Sequence, residues 1–125
     1  MKQIISTPNA PQAIGPYSQA VEANGFVFVS GQIPIVPATG QMPDGIEAQT
    51  EQVMRNIGAI LEAAGLTYSN VVKTTVLLKS IADFATMNGI YAKYFTADCP
   101  ARAAFEVAAL PKGALIEVEV IACKN

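Results

Sequence analysis

The chain has 125 residues, a formal net charge of −2 and no histidine; charged residues make up 14% of it and hydrophobic ones 51%. That composition excludes a disordered chain, which needs low hydrophobicity and high charge, and no stretch approaches the roughly 18 apolar residues of a membrane span. The eight basic residues are scattered without a basic run, so the concentrated positive field of a nucleic-acid surface is missing and no nucleic-acid partner is expected.

The length sets one domain, residues 1–125. Pro8, Pro11, Gly15 and Pro16 make the opening segment a loop, with a short strand at Gln3 to Ser6. Asn24-Gly25 separates Val21–Ala23 from Phe26–Ser30, the strongest short-range hairpin signal. Residues 34 to 45, with three prolines and two glycines, read as a loop. A helix follows from about Ile46 to Ala64, since Ile46, Val53, Met54, Ile57, Ile60, Leu61 and Ala64 recur at helical spacing. Glu47 and Glu51 suit its N-terminal dipole, Glu51 to Arg55 is a favourable i,i+4 pair, and Gly65 is placed to end it.

The β-branched run Asn70 to Leu78 predicts a strand. Ser80 and Asp83 resemble a capping box for a second helix reaching about Phe95, whose Phe84, Met87, Tyr91, Tyr94 and Phe95 form a core face. Arg102 to Val107 is a weaker strand because of its alanines, and Leu115 to Cys123 alternates strictly. The expected order is β-β-β-α-β-α-β-β. Two helices cannot cover both faces of such a sheet, so they should lie on one face and leave the other to partner subunits. Low charge agrees, because a small soluble domain usually carries about 25–35% charged surface. A homo-oligomer is expected.

Without histidine, Ser-His-Asp and Cys-His sites are excluded, and acid–base work falls to Asp, Glu, Tyr, Lys or Cys. Cys99 and Cys123 form no CxxC and read as structural thiols rather than a zinc site or nucleophiles. The N-terminal segment has no apolar stretch of the secretory kind, so an intracellular, reduced setting is expected.

Arg102 is the one charged residue between Asp98 and Glu106. Guanidinium suits bidentate carboxylate binding, although a strand-end arginine also serves in surface or interface ion pairs. Glu117 and Glu119 share one face of the last strand, roughly 7 Å apart. They are solvated carboxylates unless one sits in a cleft where its pKa suits proton transfer. Tyr17, in a Gly-Pro-Tyr-Ser turn, and Ser30-Gly31, at a strand end, are further candidates; each alone is also explained by turn chemistry.

Ala13-Ile14-Gly15-Pro16-Tyr17-Ser18-Gln19-Ala20, Val29-Ser30-Gly31-Gln32, Pro100-Ala101-Arg102, Leu110-Pro111-Lys112-Gly113 and Ile116-Glu117-Val118-Glu119 together resemble the RidA/YjgF family of enamine and imine deaminases, and the match spans nearly the whole chain. The resemblance implies an α+β, chorismate-mutase-like fold: a six-stranded mixed sheet with two helices on one face. It implies a homotrimer with active sites between subunits. It also implies a cytoplasmic hydrolase that turns 2-aminoacrylate, 2-aminocrotonate and their imine tautomers, products of pyridoxal-phosphate dehydratases, into 2-keto acid and ammonium. By resemblance Arg102 would hold the substrate carboxylate and Glu117 would orient water and move protons. Tyr17, from the neighbouring chain, would close the pocket, and Ser30, Gly31 and Asn88 would line it. Some members carry a cysteine where this chain has Ala104, so only the Ala104 carbonyl is left there to bind. An imine is already electrophilic; no metal or other cofactor is implied. The alternatives are a non-catalytic sensor of 2-keto acids, a ribonuclease or translation inhibitor, and a chaperone-like role.

Overall fold

Asn24 and Gly25 both take positive φ, 55° and 81°, as a two-residue hairpin turn requires. The hairpin they close begins the architecture of the computed structural model, which describes residues 1–125. In chain order the elements are β1 (Gln3–Ile5), β2 (Ala20–Ala23), β3 (Phe26–Gln32), α1 (Ile46–Ala63), β4 (Val71–Leu78), α2 (Phe84–Tyr91), β5 (Ala101–Glu106) and β6 (Ile116–Cys123). One six-stranded sheet results, in the order β1-β2-β3-β6-β4-β5. Only β4 and β5 run parallel; every other neighbouring pair is antiparallel. The mixed α+β sheet with two helices is therefore as expected, including β5, where pairing with β4 overrides the poor strand propensity of alanine.

Both helices lie on one face. Val27 and Val29 of β3, Val76 and Leu78 of β4, and Ile116, Val118 and Val120 of β6 are buried against Val53, Met54, Ile57, Ile60 and Leu61 of α1 and Met87 and Tyr91 of α2. Truncating one of the larger of these side chains to alanine costs about 2–5 kcal/mol. The helix α1 ends as its glycine predicts. Gly65 has φ 76°, its N–H donates to the Glu62 carbonyl, and the Leu66 N–H donates to that of Leu61.

Three local expectations are corrected. Ser80 accepts from the Ala82 N–H at 3.3 Å and caps a short 3₁₀ turn at Ile81–Asp83 instead of forming a box with Asp83. The helix α2 stops at Tyr91, because the Lys93 and Tyr94 N–H groups reach back three residues, to Ile90 and Tyr91, and tighten the chain. Glu51 forgoes Arg55. Its carboxylate takes the Tyr94 hydroxyl and lies 3.2 Å from Lys93 Nζ, clipping α1 to the segment after α2. The Tyr94 hydrogen bond, followed by Lys93, holds Glu51 below the usual carboxylate range against a smaller opposing effect of burial. Burial and the Glu51 carboxylate push the Tyr94 phenol up to about 12.

The other face of the sheet has no cover within the chain. Ile4, Phe26, Phe28 and Phe105 lie exposed on it, as the registers dictate: Ile4 pairs with Val21, Val21 with Phe28, and Phe105 with Leu77. No helix is long and apolar enough to cross a membrane.

Candidate active site

Two groups of polar residues stand out, one on each face of the sheet. The first is built on β3 and β6. The register slips between Val29 and Gln32, so Ser30 and Gly31 leave the regular ladder. Gly31 faces Glu117 so closely that a Cβ on it would strike Glu117 Oε2 and lie 3.0 Å from Cδ. Hydrogen at this position is what lets the carboxyl lie against the bulge. Glu117 and Glu119 both point to the open face, since Ile116, Val118 and Val120 are buried on the other. Glu117 is half-buried; that burial, with the nearby Glu119 charge as a smaller contribution, raises its pKa above the ordinary glutamate value. It lines a cavity of about 630 Å³ together with Tyr17, Ser30, Gly31, Lys112 and Glu119.

Buried amides hold the walls of this cavity. Gln19 accepts from the Thr7 N–H at 2.7 Å and donates to the carbonyls of Thr7, Ala10 and Pro11, fixing the proline-rich loop that leads to Tyr17. Asn56 of α1 donates to the carbonyls of Ile33 and Ile35, which form the opposite wall. Ser30 Oγ donates to the Ser18 carbonyl at 2.6 Å. Its proton is thereby committed, and toward the cavity it can only accept. Neither Gln19 nor Asn56 was singled out from sequence. Asn56 carried a signal, since it falls within the apolar stripe between Val53 and Ile60, where a polar side chain needs a built partner.

The second group surrounds Arg102. Thr74 pairs with Arg102 across the parallel ladder and with Val120 across the antiparallel one, so Arg102 lies on the helix side. Its Nη1 donates to Asn88 Oδ1 at 2.6 Å. Its guanidinium carbon sits 4.8 Å from the Tyr91 ring centroid and 5.4 Å from that of Phe84. It has no acid partner; the ion pairs of the chain are Lys93–Glu51 and Lys124–Glu22. Ala104, two residues on, is partly buried on the same side.

Within one chain these groups do not meet. Arg102 is level with Thr74 and Glu117 with Leu77, two strands across, which puts their Cα atoms about 14 Å apart and their side chains on opposite faces. Tyr17, Ser30 and Gly31 fall with Glu117; Asn88 falls with Arg102. Tyr17 thus already shares a cavity with Glu117 of its own chain, and the residues that stand apart are Arg102 and Asn88. No group of three or more His, Cys, Asp or Glu side chains converges as a metal site would need, and both cysteines are free thiols.

A six-stranded α+β sheet covered on one side, with an unpaired arginine at its edge and a cavity carboxyl on its open face, defines the class. A model of the family described as Endoribonuclease L-PSP matches residues 7–124, and the chain belongs to that family, the RidA/YjgF proteins. The Arabidopsis thaliana protein named Reactive Intermediate Deaminase A, chloroplastic, is 55% identical over 97% of this chain and 65% of its own, so this chain spans under two thirds of that relative. A Rattus norvegicus protein named 2-iminobutanoate/2-iminopropanoate deaminase is 54% identical over 100% of this chain and 92% of its own. The crystal structure of a Rid-family protein of Yersinia pestis superposes with a TM-score of 0.97 at 53% identity, covering 98% of this chain and 99% of that one.

Proposed function

We propose that residues 1–125 act as one domain that hydrolyses 2-aminoacrylate, 2-aminocrotonate and their imine forms, 2-iminopropanoate and 2-iminobutanoate, to 2-keto acid and ammonium. The observation that carries this reading is the Glu117 carboxyl, half-buried in a cavity against Gly31 with its pKa raised. A carboxyl held in a cavity beside the reacting centre can both take and return a proton. The names of the Arabidopsis and rat relatives support the substrate class.

The chemistry asks little beyond placement. Arg102 forks the substrate carboxylate with the N–H groups that Asn88 leaves free. Water held by Glu117 adds to the imine carbon. Glu117 takes its proton and gives it to nitrogen to form the carbinolamine, then takes the hydroxyl proton and passes it to the amine as the C–N bond breaks, releasing keto acid and ammonia, which water protonates to ammonium. Ser30 serves as an acceptor beside this centre, Tyr17 closes it, and the Ala104 carbonyl borders the arginine side.

A site split across two sheet faces needs a second copy. We assign the open face to a homotrimer in which the β5 edge of one subunit brings Arg102 and Asn88 to the Glu117 cavity of the next. Lys73 and Glu119 support this arrangement. They line a cleft of about 210 Å³ on the open face, and neither has an ion-pair partner in its own chain. Burial in an interface calls for such partners. We place the enzyme in the cytoplasm, acting on free small molecules and not on nucleic acid. The family description raises a ribonuclease reading, but the chain offers no histidine and no basic run to hold RNA.

The test is keto-acid release from imine generated in situ by an amino-acid oxidase, with semicarbazide trapping the remainder. Wild type accelerates release, while Arg102→Ala and Glu117→Gln do not. A correctly assembled wild type without acceleration overturns the proposal and leaves a 2-keto acid sensor. Equal acceleration by wild type and both variants refutes the assigned residues.

A further inference from the structure

Arginine is a long, flexible side chain, and holding its fork in one plane requires something to bind its face as well as its edge. The helix α2 provides a bed for it. Phe84, Asn88 and Tyr91 recur at i, i+4 and i+7, which is one face of a helix. Both ring centroids lie within 6 Å of the guanidinium carbon, the range of cation–π attraction, and Asn88 holds one edge between them. The Tyr91 ring is itself fixed. It is 7% exposed, packs at a tilt against Phe95 with ring centroids 4.7 Å apart, and its hydroxyl lies 2.8 Å from the hydroxyl of Thr74, which is fully buried on β4. Burial pushes the Tyr91 phenol up, so the hydroxyl stays neutral beside the cation.

We propose that Tyr91, locked by Thr74 and assisted by Phe84, is a positioning residue that fixes the plane of the Arg102 guanidinium and so sets affinity for the substrate carboxylate. This rests on the reading of Arg102 as the carboxylate anchor. It goes beyond that reading by giving a function to two aromatics that spacing assigns to the core and to a threonine buried on β4. Tyr91 does not touch the substrate; it acts through Arg102. Its loss therefore appears in binding and leaves the chemical step, carried by Glu117 on another face, nearly untouched.

The test is calorimetric titration of 2-oxobutanoate together with steady-state kinetics on imine generated in situ. The variants are Tyr91→Leu, Tyr91→Phe, Thr74→Val, Phe84→Leu and Arg102→Ala, each with its assembly state verified. Removing a ring weakens both Kd and KM about tenfold with kcat within about twofold. Tyr91→Phe keeps the ring and restores most of the affinity. Thr74→Val weakens it about threefold by freeing the ring. Should Tyr91→Leu fail to fold, Phe84→Leu, on a half-buried side chain, and Thr74→Val, of matched shape, carry the test. Unchanged keto-acid affinity in folded Tyr91→Leu, or in both substitutes, overturns the positioning role while Arg102→Ala still abolishes binding. Unchanged affinity in Arg102→Ala overturns the anchor and this inference together. A fall in kcat with KM unchanged overturns it as well, since that pattern belongs to the reacting centre.

Discussion

Gly31→Ala tests the Glu117 placement with a single methyl group. The φ of Gly31 is not positive, so alanine fits the backbone without strain, and the whole effect lies in the space its Cβ needs. That Cβ would collide with Glu117 Oε2 and stand 3.0 Å from Cδ and 3.3 Å from Cγ. All three atoms belong to a side chain with rotamer freedom and an open cavity beside it, so the glutamate swings away at small cost to the fold. Its carboxyl then sits of order 1 Å or more from its working position. A displacement of that size costs about a hundredfold in rate, equivalent to about 2.7 kcal/mol of transition-state stabilisation. The assay is kcat/KM for keto-acid release beside the melting temperature. A hundredfold loss in kcat/KM, mostly in kcat, with a melting temperature within a few degrees of wild type is the expected pair. Activity within threefold of wild type would mean that the carboxyl has no fixed place in the reaction.

Arg102→Lys keeps the charge but replaces a planar fork with a point donor; KM for the imine rises about a hundredfold, and an unaltered KM in steady-state kinetics contradicts bidentate binding. Gln19→Ala leaves the Thr7 N–H and the carbonyls it served without partners in a buried setting; at about 1–3 kcal/mol for each group left unpaired, the loss is roughly 3 kcal/mol or more by urea denaturation. The loop bearing Tyr17 loosens with it, so KM also rises.

Much of the sheet was legible because its signals are local. The alternation of β6 follows from period two, and the β2–β3 hairpin from one Asn-Gly step. The helix α1 follows from a stripe of apolar residues ended by Gly65. What was not legible depends on tertiary pairing. Alanines at 101, 103 and 104 weakened the signal for β5 and blurred its bounds, because its strand form comes from the β4 ladder and not from propensity. Glu51 lay four residues before Arg55, yet Tyr94 and Lys93 reach it from across the chain. Sequence periodicity assigns Phe84 and Tyr91 to the core, and Tyr91 is buried while Phe84 is half-buried; periodicity cannot register that an arginine from a distant strand lies over their rings. Arg102, Glu117, Tyr17, Ser30 and Gly31 stand out by residue type and spacing, while their roles, and Asn88 and Ala104, come from the family motifs. Their division between two faces required the registers of β4 with β5 and with β6, which no local pattern encodes.

That division can be tested through Glu117. Burial raises its pKa in the folded chain, so between the unfolded and folded values the native state binds more protons. Stability contributed by this carboxyl is therefore present below the ordinary glutamate pKa and is lost as pH rises toward the folded value. In the Arg102→Ala background, where no facing guanidinium opposes burial, Glu117→Gln removes the dependence, and its denaturation midpoint gains on that single variant across the window. The same carboxyl reports on its neighbours. If Arg102 of another copy faces the cavity, its charge pulls Glu117 down in the assembly, and Arg102→Ala lets the pKa rise again. Carbon-13 NMR of the Glu117 carboxyl reads this without any need for activity. An upward shift in an Arg102→Ala variant that keeps its assembly state points across a subunit boundary, because within one chain the two groups occupy opposite faces of the sheet, about 14 Å apart at Cα. Identical titrations of wild type and Arg102→Ala would leave the arginine and the glutamate in separate places, and the shared site would fall with them.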